Sequence, residues 1–338
     1  MIGTTILYEG DDIINIKIRA ERPEDYNNIA NLVYNSFIEW HESDYKAEPL
    51  ITASLRQNQY FDPELSIVAE IDNKIVGHAL FSVFTYVVMG EERRGIFLAP
   101  LCVDTMYQKQ GIGSKLIEAG HEIAGKKGIS LALLCGHEKY YPRFGYKNKM
   151  FSLSGSKVIL YEDNQGFEEI KEKQVHSSDL SWITKEWWHT HKDDRLAWYP
   201  GDTISQWFNH SLLYRSSVLF TENEVLGYVR YRTTYPLEVK ELLPLNNNGE
   251  KMLRYIMKKR FNRLEGEVIM SLGKDSVLKI LSIGEHLKVE ENIRTSNAFM
   301  IKILDENDEV LNRYCNDGKL DDKNLGVIAF PTALDLDD

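Results

Sequence analysis

The stretch LAPLCVDTMYQKQGIGSKLIEAGHEIAGKKG, residues 98–128, decides the fold. It reads as a buried strand interrupted by Pro100, a short polar turn with two glycines, and an amphipathic helix. Ile112, Leu116, Gly120 and Ile123 recur at helical spacing and give that helix one core-facing side. Lys126 and Lys127 stand in its last turn, where cations suit the helix dipole, and Gly128 can take the left-handed stop. A helix that starts on Gly111-Ile112-Gly113 offers backbone amides with little side-chain bulk, and such a start suits a phosphate.

Working outward, Ile14, Ile16 and Ile18 alternate like a half-buried strand. Pro23 then introduces a helix with Ile29, Leu32, Val33, Phe37 and Trp40 on one face. Residues 41–65 are polar and mixed, with a helix around Leu50 to Leu55; a segment of this length suits a cleft cover and a plain connector equally. Leu65–Glu70 and Ile75–Val88 read as a hairpin about Asp72-Asn73-Lys74, and Glu91–Gly95 reads as the next turn. Ile129–Cys135 is a second buried strand, and HEKYYPRFGYKNK (137–149) reads as a short aromatic helix followed by another strand. The order predicts an α/β fold with a mixed, largely antiparallel sheet flanked by helices.

The second half repeats the first. Asp72-Asn73-Lys74-Ile75-Val76-Gly77 is echoed by Glu222-Asn223-Glu224-Val225-Leu226-Gly227, 150 positions on (77 to 227). Asp25-Tyr26-x-x-Ile29 is echoed by Asp179-Leu180-x-x-Ile183, 154 positions on (25 to 179). Two matches at nearly one offset indicate duplication, and the expected tandem domains are 1–160 and 161–338. Where the second copy should show the glycine turn it has Pro244-Leu245-Asn246-Asn247-Asn248-Gly249. The fold is expected to persist there without the phosphate site.

Chain-wide properties narrow the function classes. Forty Lys+Arg against 51 Asp+Glu leave a net charge of −11, which argues against nucleic acid as a partner. Cys102, Cys135 and Cys315 are too few for a disulfide framework and lack zinc spacing. No apolar run approaches the ~18 residues of a membrane span, and no basic-then-apolar leader is present. The expectation is a cytoplasmic protein with no membrane partner and no metal. His189-Thr190-His191 implies no third ligand and reads as exposed helix.

The glycine turn fails two nucleotide motifs. A P-loop needs four residues between its first glycine and Gly-Lys-Ser/Thr, and the dinucleotide fingerprint needs a glycine where Leu116 stands. Gln108-x-x-Gly111-x-Gly113 remains, and alone it is punctuation more often than a site. The block APLCVDTMYQKQGIGSKLIEAG, however, resembles the cofactor motif of the GNAT superfamily of N-acetyltransferases, in which a Gln/Arg-x-x-Gly-x-Gly/Ala turn holds the pyrophosphate of coenzyme A. The Asp72–Gly77 hairpin before it and KYYPRFGYK after it, similar to the family's Tyr-x-x-x-Gly-Phe/Tyr element, extend the resemblance over residues 14–155. The duplicated layout is similar to tandem acetyltransferases of the enhanced-intracellular-survival type. Those carry a sterol-carrier-like end domain, whereas only 33 residues follow Asp305 here (338 − 305), too few for a full extra domain, so a shortened C-terminal extension is expected and the role those relatives give to a C-terminal carboxylate is left open.

The resemblance implies a two-domain acetyl-CoA-dependent N-acetyltransferase with one active half. It implies that Gln108, Lys109, Gln110, Gly111, Ile112, Gly113 and Ser114 hold the pyrophosphate, and that Leu101, Cys102 and Val103 supply amides to the pantetheine arm and the thioester oxygen. Tyr141, four residues before Gly145, is the expected general acid for the leaving thiolate, with Tyr140 as fallback. Neither Cys102 nor Cys135 adjoins an activating His, so inert thiols are expected. The base is open among Glu39, His41, His78, Glu91 and a water chain. Trp182, Trp187, Trp188, Trp198 and Trp207 either line a substrate cleft or pack the joint between domains. The acceptor is an aminoglycoside, polyamine or metabolite amine, or a protein amino group, and self-association is left open. The rival class is a non-catalytic acyl-CoA sensor on the same fold.

Overall fold

The computed structural model describes residues 3–9, 12–38, 47–163, 169–281 and 285–334. In chain order its first half runs β1 (Gly3–Glu9), β2 (Asp12–Ala20), α1 (Tyr26–Phe37), α2 (Ala47–Leu55), β3 (Ser66–Ile71), β4 (Lys74–Val88), β5 (Glu91–Val103), α3 (Ile112–Lys126), β6 (Leu131–Cys135), β7 (Phe151–Ser152) and β8 (Ser156–Leu160). Then follow β9 (Lys171–Gln174), α4 (Leu180–His191), β10 (Leu196–Tyr199), β11 (Tyr214–Phe220), β12 (Val225–Arg232), β13 (Leu237–Pro244), α5 (Gly249–Phe261) and β14 (Gly266–Met270). The chain closes with α6 (Lys274–Ile280), β15 (Leu287–Glu291), β16 (Phe299–Ile303), α7 (Glu309–Leu320) and β17 (Gly326–Val327).

Strand β4 is the backbone of the first sheet. Its β-branched and aromatic run is buried on both faces, because alternation sends successive side chains to opposite layers. Ala79, Phe81 and Val83 pack with Ile112, Leu116 and Ile117 of α3, and Gly120 lets that helix sit directly on the Phe81 ring. Leu80, Phe84 and Tyr86 face the other layer, where Leu55 of α2 and Tyr314 of α7 lie. The turn into β5 is at Met89-Gly90, both at positive φ, so Glu91–Gly95 is strand and not the turn their charge suggests. After the short helical turn at Tyr141–Phe144 the expected strand is reduced to a bridge between Lys147 and Ile301.

The repeat is structural as well as sequential. Asp25 and Asp179 are both buried at the start of their helices, each accepting from a backbone N–H three residues earlier, Arg22 and His176, at 2.8 and 3.0 Å. Each also meets a cation six residues earlier, Arg19 at 2.6 Å and Lys173 at 2.9 Å. Both halves place a hairpin (β3–β4, β11–β12), then a parallel pair (β5 with β6, β13 with β14) bridged by a helix.

Pairing does not respect a single cut in the chain. The first sheet runs β1-β2-β3-β4-β5-β6-β16, with β10 also paired to β4; the second runs β15-β8-β14-β13-β12-β11-β9. Thus β8, from before residue 160, lies beside β14, while β16 takes the corresponding place beside β6. The halves exchange a strand. The joint is packed by tryptophans: Trp198 of β10 meets Phe84 and Phe97 at ring distances of 4.7 and 4.9 Å, and Trp187 and Trp207 are buried with Val87 and Tyr228. Trp182 and Trp188 pack against that cluster. Among the described residues no helix is long and apolar enough to cross a membrane.

Candidate active site

Strands β5 and β6 are hydrogen-bonded only at Gly95–Leu131, Ile96–Ala132 and Phe97–Leu133. Beyond Phe97 they part, and the edge of β5 from Leu98 to Val103 is left facing a cavity of about 1100 Å³. A splayed edge of this kind presents unpaired amides and carbonyls that an extended ligand arm can pair with. The cavity reaches the start of α3, where Gly111 adopts φ +81° and no side chain caps the helix. The first-turn N–H groups of α3 therefore face the opening with the positive end of the helix dipole.

Of the eleven residues expected at the site, Leu101, Cys102, Val103, Gln108, Lys109, Gly111, Ile112, Gly113, Ser114 and Tyr141 line this cavity. Gln110 does not line it. Gln108 turns its amide nitrogen to the Val103 carbonyl at 3.1 Å, which ties the turn to the strand. Ile112 contributes backbone only, its side chain being in the core.

Across the opening stand Tyr140 and Tyr141. Their rings meet edge to face at 5.1 Å, and the Arg143 guanidinium lies 4.6 Å over Tyr140. Tyr141 packs against Gly136, where a side chain would collide with its ring. Burial, with Tyr140 alongside, holds the Tyr141 phenol well above its ordinary value, so it carries its proton at any working pH. The Tyr140 hydroxyl instead points to the start of α3. Burial pushes the Cys102 thiol up to about 12, and it packs beneath α1 with Ile29 and Val33. Cys135 opens on the cavity, and the protein around it pushes its thiol up to about 12 as well. Neither is an activated nucleophile.

The base candidates separate by place. His78 is fully buried, 3.1 Å from Ser66 Oγ, and burial lowers its pKa, so it is a neutral core residue. Glu91 is at the far end of β5, opposite Val88. Glu39 and His41, like Trp40, lie outside the described residues. A carboxylate absent from the sequence reading does line the cavity: Glu48 of α2, beside Phe37, Ile51, Ala99 and Pro100. Its place inside a polar segment gave no signal.

In the second half the described residues occupy the corresponding places. Glu241 stands just past the paired stretch of β13, where β5 faces the cavity, and is held by His191 Nε2 at 3.0 Å. His191 Nδ1 meets Asp194 at 2.7 Å, and Asp194 accepts from Ser276 of α6. The first residue of α5, Gly249, abuts the Ile280 carbonyl, so the end of α6 occupies the place that is open at α3. His189 is exposed and His191 buried, so the pair does not converge on a metal. Among the described residues no group of three or more potential metal ligands occurs.

A model of the acetyltransferase (GNAT) family matches residues 31–146. The N-acetyltransferase YhbS of Escherichia coli K12 is 32% identical over 131 residues, which are 38% of this chain and 72% of YhbS. The N-acetyltransferase YjhQ of the same organism is 34% identical over 110 residues, 32% of this chain, and the chain spans only 61% of its length. The crystal structure of Eis1 from Mycobacterium abscessus superposes with a TM-score of 0.51 at 14% identity, over 86% of this chain and 74% of Eis1. That likeness is one of fold, and it reaches both halves.

Proposed function

The chain belongs to the GNAT family of acetyltransferases, and from that premise we propose that it transfers an acetyl group from acetyl-CoA directly to a primary amine. One observation carries the reading: the splayed edge of β5 leads to the uncapped start of α3, with Tyr141 across the gap. The residues fit the cofactor. Nothing stands within 4 Å of where a side chain at Gly111 would begin, so the first-turn amides are open on that side, and these suit a pyrophosphate.

Acetyl-CoA supplies an activated thioester. The amides of residues 109–114 hold its phosphates, and the β5 edge at Leu101–Val103 fixes the pantetheine arm. An N–H of that edge, near Val103, stabilises the charge that develops on the thioester oxygen. Tyr141 gives its proton to the departing sulfur. Burial makes a tyrosinate costly, so the proton is replaced as it leaves by the one the attacking amine sheds. Glu48 draws the acceptor's ammonium toward the cleft from the α2 side, and that ammonium releases one proton to water before the neutral amine attacks. The inert thiols of Cys102 and Cys135 favour direct transfer over an acyl-cysteine route. Three free cysteines accord with a reducing, cytoplasmic setting.

The test is free-thiol release from acetyl-CoA with kanamycin, spermidine, a simple alkyl monoamine and a lysine peptide as acceptors. Turnover with at least one supports the proposal. Calorimetric binding of coenzyme A with no turnover of any acceptor would make the protein a sensor.

A further inference from the structure

Beneath Tyr141 lies a line of polar groups that the chemistry above leaves unused. Lys302, on the exchanged strand β16, places Nζ 3.2 Å from His121 Nδ1. An ammonium has only donors, so Nδ1 accepts and the ring proton sits on Nε2. Nε2 lies 2.9 Å from the Tyr146 hydroxyl and donates to it. Burial, with Lys302 nearby, pulls His121 down to about 3, so the ring stays neutral and this tautomer is kept. Tyr146 is buried, and its ring meets Tyr141 edge to face at 5.9 Å.

The same strand and the two residues leading into it hold the turn that carries Tyr141 at several other points. Ala298 O accepts from Gly136 N at 3.1 Å, on the residue against which Tyr141 packs. Asn297 donates to Glu138 at 2.8 Å, and Lys147 and Ile301 exchange backbone bonds of 2.8 and 3.1 Å. The Lys302 stem also runs beside Gly145, the left-handed residue that ends the turn. Backbone contacts alone would fix the loop. The Lys302–His121–Tyr146 line goes further and ends on the hydroxyl of the ring packed on Tyr141.

We propose that Lys302, a residue of the second half, is a positioning residue for the acid Tyr141, acting through His121 and Tyr146. The proposal rests on the acid role given to Tyr141 above. A donor placed about 1 Å from its productive position can lose on the order of a hundredfold in rate, so a brace two residues away from the acid has kinetic weight. The second half, whose own cleft is filled, thereby takes part in the chemistry of the first.

A double-mutant cycle on the full chain tests this, read as kcat and KM with acetyl-CoA and whichever of the four acceptors turns over fastest. Lys302→Met keeps the stem and removes the donor. It is expected to lower kcat about tenfold with KM for acetyl-CoA within about twofold, and to lower kcat less than twofold in a Tyr141→Phe background. His121→Gln, which can accept and donate along the same line, is expected to retain kcat within about threefold of the parent. An undiminished kcat in Lys302→Met overturns the proposal, as does an equal tenfold loss in both backgrounds. If Lys302→Met does not fold, His121→Leu runs the same cycle with the same two outcomes. Full kcat in Tyr141→Phe alone removes the acid role itself, which is a separate failure.

Discussion

The Tyr140 hydroxyl closes on the backbone of Gly113, where a Cβ would lie 2.8 Å from it and 3.8 Å from Val103 Cγ2. Space at Gly113 is thus shared between a tyrosine and the first-turn amides. Gly113→Ala is expected to displace Tyr140 and screen those amides, weakening coenzyme A binding about tenfold by calorimetry. Its melting temperature should not fall, because alanine favours the helix by up to ~1 kcal/mol. Unchanged affinity would remove the phosphate role of this turn.

Tyr141→Phe keeps the ring that packs on Gly136 and removes only the hydroxyl. It is expected to reduce kcat by about a hundredfold while KM for acetyl-CoA moves little. A variant that loses activity through KM alone would point to a binding role instead.

The filled cleft of the second half has a pH signature. Burial alone would lower the His191 pKa, but Glu241 and Asp194 outweigh it and raise it to about 10. A group whose folded pKa lies above its unfolded value, ~6.5, gives stability that is complete below the latter and lost as pH rises through the former. The melting temperature should therefore decline between pH 7 and pH 10, on the order of 1 kcal/mol per pH unit at most. His191→Gln should flatten that decline while starting from a lower melting temperature at pH 7. Parallel curves for the two proteins would contradict the pairing.

Residues 1–160 expressed alone carry β8 without β14 and β6 without β16. The fragment is expected to be insoluble, or unable to bind coenzyme A, because both strands then present unpaired edges. Co-expression with 161–338 should return a soluble pair that co-purifies. A fragment that folds and binds coenzyme A by itself would show the exchange to be dispensable.

How much of this the chain announced depends on whether the cause is local. The α3 start was legible because glycine spacing and helical periodicity are properties of neighbouring residues, and the Asp25/Asp179 and Gly77/Gly227 echoes for the same reason. The hairpin turn was misplaced because Glu91–Arg94 are charged yet lie in strand β5, where Arg93 pairs with Asp308, while Met89-Gly90 makes the bend. The exchange was not legible: Phe299-Met300-Ile301-Lys302-Ile303 forms strand β16, and nothing in five residues names the sheet it joins. His191 read as exposed helix because its two carboxylate partners include one 50 residues away. Glu48 and Lys302 were missed because their significance comes only from the cavity and the strand neighbour.

A duplicated gene ordinarily frees its spare copy to decay. The crossing of β8 and β16 removes that freedom, because each copy finishes the other's sheet. A nonsense mutation late in the coding sequence would strip the open cleft of a wall it never encoded nearby. Selection on one half is then felt across both, and neither can be inherited without the strand the other lends it.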